Sequence, residues 1–474
     1  MFNINITVRR LKMDLLIPLN KEAKVPLYEQ LYEGIKQAIL TQQITKNTKL
    51  PSKRQLAEFL NISQTTVELA YSQLLAEGYI MSEPRIGFFV EDILELPYIE
   101  RQNHIDALPI LPKKQIAFNF SPSIVDEESF PFSTWRKYAK LVIDEPYKHL
   151  LQTGHQQGEE DLRKEIAHYL FQSRGIQCTP EQIVIGSGTE HLLPMILNLF
   201  EAPSKLAVED PGYSALPIDQ SNEAIIPIEI DEDGLIVEQL EKTNANIVYV
   251  TPSHQFPTGA VLSAVRRMHL LNWANGAHNR YVIEDDYDSE FRYVGKPIAA
   301  LQSIDHNDKV IYLSTFTKSL MPSLRVAYFV LPKTLLATYR ERLSYYTSTV
   351  PRFEQHILAL FMKNGDFSKH LNKMRKIYRK KHDKIIQTFR QHYPQVEITG
   401  AEAGMHFLIH LNTKSSEKQL LAQAEEAGIL IRAVSSYMHS PSQVNTTSFL
   451  VGFGGLELEK IEDAVHALMA AFIQ

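Results

Sequence analysis

The chain has 474 residues, with 49 Lys and Arg against 55 Asp and Glu and a net charge of −6, so it is not basic throughout. Its 44% hydrophobic and 22% charged residues are those of an ordinary globular protein, and the length suggests about two to four folding units. No uncharged apolar run reaches the roughly 18 residues a membrane helix needs, and the single cysteine, Cys178, excludes an intrachain disulfide and suits a reducing cytoplasm. The first twenty residues are too charged and interrupted for a secretory signal, and Met13 offers an alternative start that would make the first dozen dispensable.

Residues 15–92 read as three helices and a hairpin. Tyr28, Leu31, Ile35, Ile39 and Leu40 fall at helical spacing and predict a first amphipathic helix. Pro51-Ser52 punctuates the chain, and Ser52 is suited to cap a short helix over Lys53 to Leu60. Asn61-Ile62-Ser63 forms a tight turn, and Ser63 caps a third helix with Val67, Ala70, Tyr71, Leu74 and Leu75 on one face. Gly78 stops that helix. Tyr79 to Ser82 and Ile86 to Val90 then pair as strands, with Arg85 and Gly87 near the turn.

Two short helices on a tight turn, followed by a hairpin, make a winged helix-turn-helix, whose second helix enters the DNA major groove. Residues 15–90 hold eight Lys and Arg against seven Asp and Glu, so a DNA footprint must come from placement; Lys46, Lys49, Lys53 and Arg54 do cluster. Lys53 and Arg54 stand at a helix start, which suits phosphates. Ser63, Gln64, Thr65 and Thr66 open the recognition helix and are short enough to reach base edges or phosphates. The stretch from Leu50 to Val90 resembles the GntR family of bacterial regulators in its PSKR start, its TTV…AY..L..EGY recognition helix and its GFFV wing strand. The resemblance implies binding to a double-stranded DNA operator, with Arg54 also a candidate base contact and Arg85 and Gly87 in the wing. Gln64 stands where many members carry Arg. Arg prefers guanine and Gln adenine, so the operator preference is not transferable.

Residues 93–115 carry three prolines without periodicity and read as a linker. From residue 116 to 474, short apolar strands alternate with helices: Ile183 to Ile185, Lys205 to Val208, Asn246 to Val250, Tyr281 to Ile283, Val310 to Leu313 and Arg325 to Val330. This predicts a multidomain α/β chain with a mainly parallel sheet, and a smaller α/β subdomain from about residue 355.

Four stretches carry chemistry. Ser314 to Arg325 delivers Thr315, Thr317, Lys318 and Arg325 from one strand end. Hydroxyls and arginine suit a phosphate dianion, and a lysine of depressed pKa can form a Schiff base with an aldehyde. Tyr281 to Tyr287 is an apolar strand ending in acids, where a carboxylate could pair with a pyridinium nitrogen. Ile185 to His191 is a strand, a Gly-rich turn and a helix start, whose N–H groups can cradle phosphate. The fourth is Glu209 to Tyr213. Taken together and in this order, they resemble fold-type I pyridoxal-phosphate-dependent aminotransferases. The resemblance implies pyridoxal 5′-phosphate on Lys318 and a phosphate loop of Ser187, Gly188 and Thr189. It also places Tyr213 on the cofactor ring, Asp285 at the ring nitrogen and Tyr287 at the ring hydroxyl.

Thr251 to Gly259 lacks the usual Asn before Pro-Thr-Gly; Phe256 stands there, and His254 or Gln255 are the candidate substitutes. That form, with the joined front domain, resembles the MocR/GabR subfamily of GntR-type regulators over nearly all of residues 15 to 474. Leu450 occupies the place of the usual carboxylate-binding arginine, which leaves Arg432 as the candidate for an effector carboxylate. No metal is expected. The resemblance implies a head-to-tail homodimeric, cytoplasmic regulator. In it an amino-compound effector would form an external aldimine, displace Lys318 and alter DNA binding. A working aminotransferase carrying a DNA-binding module, and a regulator of pyridoxal-phosphate synthesis sensing the cofactor itself, also fit these residues; as a regulator, the aminotransferase-like fold would keep at most residual turnover. The front domain favours a regulator.

Overall fold

The computed structural model describes residues 17–93, 116–201, 204–213, 225–295, 298–439 and 447–473. The question of Met13, nearly all of the linker and the segment just after Tyr213 lie outside these residues. The chain divides into two compact units, Met1–Pro112 and Lys113–Gln474.

In the first unit, α1 (Leu27–Leu40) buries Leu31, Ile35, Ala38 and Ile39. Tyr28, in its first turn, stays exposed, so the apolar stripe starts one turn later than the spacing suggested. Strand β1 (Lys49–Leu50) leads into α2 (Lys53–Leu60) and α3 (Gln64–Ala76). Ser52 and Gln55 form a reciprocal capping box at the start of α2. Ser63 Oγ accepts from Thr66 N at 3.1 Å to cap α3. Asn61, at a φ of 50°, makes the turn between them left-handed. The wing is β2 (Ile80–Glu83) and β3 (Gly87–Val90), one residue out of step with the pattern. It gains a third strand: Lys49 and Leu50 pair with Phe89 and Phe88. Two residues are too few to show alternation, so this strand has no signature in the sequence. Tyr71 ties the wing to the helices, with its ring 4.9 Å from Phe88 and its hydroxyl donating to Pro51 O at 2.9 Å.

The second unit opens with β4 (Phe118–Asn119), α4 (Phe132–Val142) and α5 (Glu160–Arg174). Then come β5 (Ile183–Gly186), α6 (Thr189–Leu197), β6 (Leu206–Asp210), β7 (Ile225–Asp231), β8 (Gly234–Leu235) and α7 (Val237–Glu241). Next are β9 (Ile247–Val250), α8 (Ala264–Asn275), β10 (Tyr281–Asp286), β11 (Val310–Thr315) and β12 (Ala327–Val330). Strands β5 to β12 form one eight-stranded sheet in the order β5-β12-β11-β10-β9-β6-β7-β8. Its centre is parallel, while β12 runs antiparallel to both neighbours. The central strands are buried on both faces, which is why they read as continuous apolar runs rather than alternating ones.

Helices α9 (Leu336–Arg342), α10 (Arg352–Lys363) and α11 (Asp366–His392) follow. The smaller layer holds β13 (Glu397–Thr399), β14 (His406–Leu411), α12 (Glu417–Glu426), β15 (Ile429–Leu430), β16 (Arg432–Ala433), β17 (Thr447–Gly452) and α13 (Ile461–Phe472). Its sheet is antiparallel, in the order β13-β14-β17-β16. The start of the unit belongs to this layer too: β4 pairs with β15, and Phe120 and Val125 pack into its core.

Candidate functional site

Parallel strands present their C-terminal ends to one rim, and the motifs meet there. A cavity of about 440 Å³ is lined by Gly188, Thr189, Tyr213, Asp285, Tyr287, Thr315, Thr317, Lys318, Arg325 and Arg432. Residues more than 200 positions apart thus share one wall.

Asp285 ends β10. The Tyr249 hydroxyl, from neighbouring β9, donates to its Oδ2, while its buried Oδ1 has no partner among the described residues. Burial pushes Asp285 up to about 7, against the pull of Tyr249. Glu209 lies close by, pushed up by burial to about 7 as well, and accepts from Thr251 Oγ1 at 2.6 Å and Thr251 N at 3.1 Å.

Lys318 leaves the loop after β11, and its Nζ donates to the Pro122 carbonyl. Burial draws its pKa down to about 8. Thr315 and Thr317 hydroxyls are 2.7 Å apart, and Thr317 N donates to Thr315 Oγ1 at 3.1 Å. Arg325 stands just before β12 in the left-handed region, at a φ of 51°, rather than in the strand. It pairs with Glu190 at the start of α6. Gly188 caps α6 at a φ of 146°, and a Cβ there would meet Arg325 Nη2 at 2.6 Å. The helix start, Arg325 and the two threonines thus surround a space that glycine keeps open.

Tyr287 donates or accepts at His254 Nδ1, 3.0 Å away, and the same nitrogen lies 3.1 Å from both oxygens of Asp288. His254 is not among the residues lining the cavity; it stands behind Tyr287. Burial opposes its charge, but Asp288 outweighs this and its pKa is raised. His406 packs on it with ring centroids 4.9 Å apart and is held well below the usual imidazole range by burial and by the neighbouring His254 and Lys318. His254, Asp288 and His406 are close enough to share a cation, yet His254 Nδ1 already faces Asp288, and His406 Nε2 lies 3.1 Å from Pro257 O. Gln255 is likewise behind the wall, bonded to Pro211 O and Phe256 O. Ser187 precedes the cradle without lining it.

Arg432 reaches the cavity from β16, beside Tyr437. Its cross-strand partner is Leu450, whose side chain is buried. The sequence reading missed Tyr249, Ser121 to Ser123, Glu190, His406 and Tyr437. Only Glu190 lay inside a quoted motif.

The residues fit pyridoxal phosphate. Asp285 has a buried oxygen without a partner among the described residues, which suits a protonated ring nitrogen, and the cradle at Gly188 suits a phosphate.

In the first unit, Lys53 Nζ contacts Glu68 at 2.6 Å and Arg54 Nε contacts Glu58 at 2.9 Å. Ser63 Oγ is 2.7 Å from Thr66 Oγ1, so these two hydroxyls are partly engaged with each other. Gln64 and Thr65 are exposed. Arg85, at a φ of 66°, turns the wing, and Gly87, at 138°, lies against Lys49.

Residues 27–90 match the family of bacterial regulatory proteins, gntR family, and residues 125–468 match aminotransferase class I and II. The chain is 41% identical to the HTH-type transcriptional regulator YdeL of Bacillus subtilis, over 97% of this chain and 100% of YdeL. It is 32% identical to the pyridoxine biosynthesis transcriptional regulator PdxR of Corynebacterium glutamicum, over 95% of this chain and 99% of PdxR. The kynurenine aminotransferase of Pyrococcus horikoshii shares the fold of the second unit, with a TM-score of 0.67 at 24% identity, covering 76% of this chain and 91% of that one. The two units define a DNA-binding regulator built on an aminotransferase fold. The chain belongs to the MocR/GabR type of GntR transcriptional regulators.

Proposed function

We propose that this regulator holds pyridoxal 5′-phosphate in the cavity and changes its DNA affinity when an amino compound binds there. The observation that carries the reading is the buried Asp285 oxygen without a partner among the described residues, on a residue that lines one cavity with Lys318 and Arg325, in a chain with a winged helix-turn-helix. When bound, pyridoxal phosphate supplies an aldehyde that condenses with primary amines. Lys318 offers its amine to that aldehyde, and its pKa near 8 leaves a useful neutral fraction near pH 7. Asp285 holds a proton at the ring nitrogen. Thr189, Thr315, Thr317, Arg325 and the N–H groups around Gly188 bind the phosphate, with Ser187 completing the loop and Glu190 giving up Arg325. Tyr213 covers the ring. Tyr287, backed by His254, faces the ring hydroxyl. Arg432 receives an effector carboxylate.

An effector acts only through a difference in its affinity for two arrangements of the protein. We further propose a head-to-tail homodimer in the cytoplasm. The exposed Phe132, Ile143, Leu151 and Phe171 on the second unit suit an interface. Among the described residues no helix is long and apolar enough to cross a membrane. Lys53, Arg54, Ser63, Gln64, Thr65, Thr66, Arg85 and Gly87 form the DNA-facing set.

The test is a visible-absorption spectrum and a borohydride-fixed covalent adduct on wild type, with Lys318→Ala as control. Amines are then screened for a spectral shift and a change in DNA affinity. Identical borohydride labelling of both proteins would remove Lys318 from its role. Steady keto-acid production at ordinary enzyme rates would favour a working aminotransferase instead. The similarity to PdxR supports a second reading, in which the cofactor is itself the signal. In that case adding pyridoxal phosphate alone changes DNA affinity.

A further inference from the structure

Helix α3 carries a single charge, and it is negative: Glu68. Its exposed residues include Gln64, Thr65, Glu68, Leu69 and Ser72, while Val67, Ala70, Tyr71 and Leu74 point into the core. Residues 65, 68, 69 and 72 follow helical i, i+3, i+4, i+7 spacing and share one side. In a helix-turn-helix this is the side turned to the groove floor.

Two features of that side are out of place for contact with phosphate. A carboxylate there would be repelled by the backbone. Glu68 is instead held by Lys53, at 2.6 Å, and the Lys53 ammonium also sits 5.6 Å over the Phe88 ring. The pair neutralises the acid and leaves its second oxygen without a partner among the described residues. Leu69, beside it, is 49% exposed at the middle of the face. A lone exposed leucine needs no explanation; one centred on a groove-facing helix with no cation has a fitting partner in the thymine methyl.

We propose that Glu68 and Leu69 are specificity-determining residues. Glu68 accepts from a cytosine amino group, with Lys53 fixing its orientation, and Leu69 packs on the methyl of an adjacent thymine. The base-reading surface is then acidic and apolar, and affinity for phosphate comes from Arg54 at the start of α2, the helix starts and the wing.

The full chain is used to select binding sites from a random duplex library, and the selected site is remade with deoxyuridine replacing each thymidine in turn. At one position the lost methyl weakens wild type about fourfold, the factor one buried methyl carries. Leu69→Ala binds the thymine and uracil duplexes equally. Glu68→Ala loses the cytosine preference at a neighbouring position. It also frees Lys53 for phosphate, steepening the dependence of log affinity on log salt by about one. Both residues are exposed, so the variants keep the fold. The proposal is overturned if uracil weakens wild type and Leu69→Ala alike at every position, if Glu68→Ala selects the wild-type site, or if wild type enriches no site.

Discussion

Tyr249 and Asp285 meet at the floor of the cavity: the tyrosine hydroxyl donates to one carboxylate oxygen and leaves the other buried without a partner among the described residues. Two strands adjacent in the sheet supply them, so the ladder fixes their spacing. A charge-assisted hydrogen bond is worth about 1.5–3 kcal/mol. Asp285→Asn should therefore weaken retention of pyridoxal phosphate roughly ten- to hundredfold while leaving the fold intact. Equilibrium dialysis with circular dichroism measures both.

The same burial predicts how stability varies with pH. Asp285 and Glu209 both have folded values raised to about 7, far above the unfolded carboxylate range. Each favours the folded state fully below the unfolded value, and that contribution is lost as pH rises toward 7 and beyond. Cofactor-free protein should thus show a falling Tm between pH 5 and 8. Asp285→Asn or Glu209→Gln should flatten the fall. Glu159 behaves oppositely: burial raises it, but His356 and Arg352 outweigh this and hold it to about 2, so its contribution is lost only in strong acid, outside this window.

Lys318 titrates where its reactivity can be followed. Burial holds it to about 8, so its neutral fraction grows as pH rises through that value. The rate of covalent capture of pyridoxal phosphate should climb from pH 6.5 and level off above about 9, with Lys318→Ala showing no capture. Stopped-flow absorbance checks it. A rate still rising steeply at pH 10 would show an ordinary exposed lysine.

Arg432 separates the two regulatory readings. If it receives a carboxylate, Arg432→Ala should weaken amino acids roughly ten- to hundredfold and leave amines without a carboxylate unchanged. If the cofactor alone is the signal, the DNA response of Arg432→Ala matches wild type. DNA-binding anisotropy with each ligand class decides.

In the first unit, Ser63 caps α3 through Thr66 N. Ser63→Ala should cost about 1 kcal/mol and speed amide exchange across the helix about fivefold. Hydrogen-exchange mass spectrometry of residues 61–76 reads this directly.

The sequence carried the site wherever a motif was continuous. Ile185 to His191, Tyr281 to Tyr287 and Ser314 to Arg325 each combine a strand end with the loop it supports, so side chains adjacent in sequence are adjacent in the wall. It was silent where folding brings distant pieces together. Pro122 meets Lys318 across 196 residues because the segment after β4 is carried to the cavity, an arrangement without local periodicity. Tyr249 looked like one more apolar strand residue, since a tyrosine in a buried run shows no partner until the neighbouring strand is placed. His254 was legible as unusual, but its position behind Tyr287 depends on Asp288 and His406, which no spacing rule joins.

Lys318 and Arg325 lie in one hairpin loop, closed where Thr315 pairs with Ala327 and pinched again by Phe316 N donating to Val326 O at 3.0 Å. Both flanking strands are interior to the eight-stranded sheet. That loop cannot travel without unzipping the middle of the sheet, so it acts as a fulcrum. On the proposed function, occupancy at the lysine would be relayed by parts hung elsewhere; Arg432 and Tyr437, which line the same cavity, come from the separate antiparallel layer.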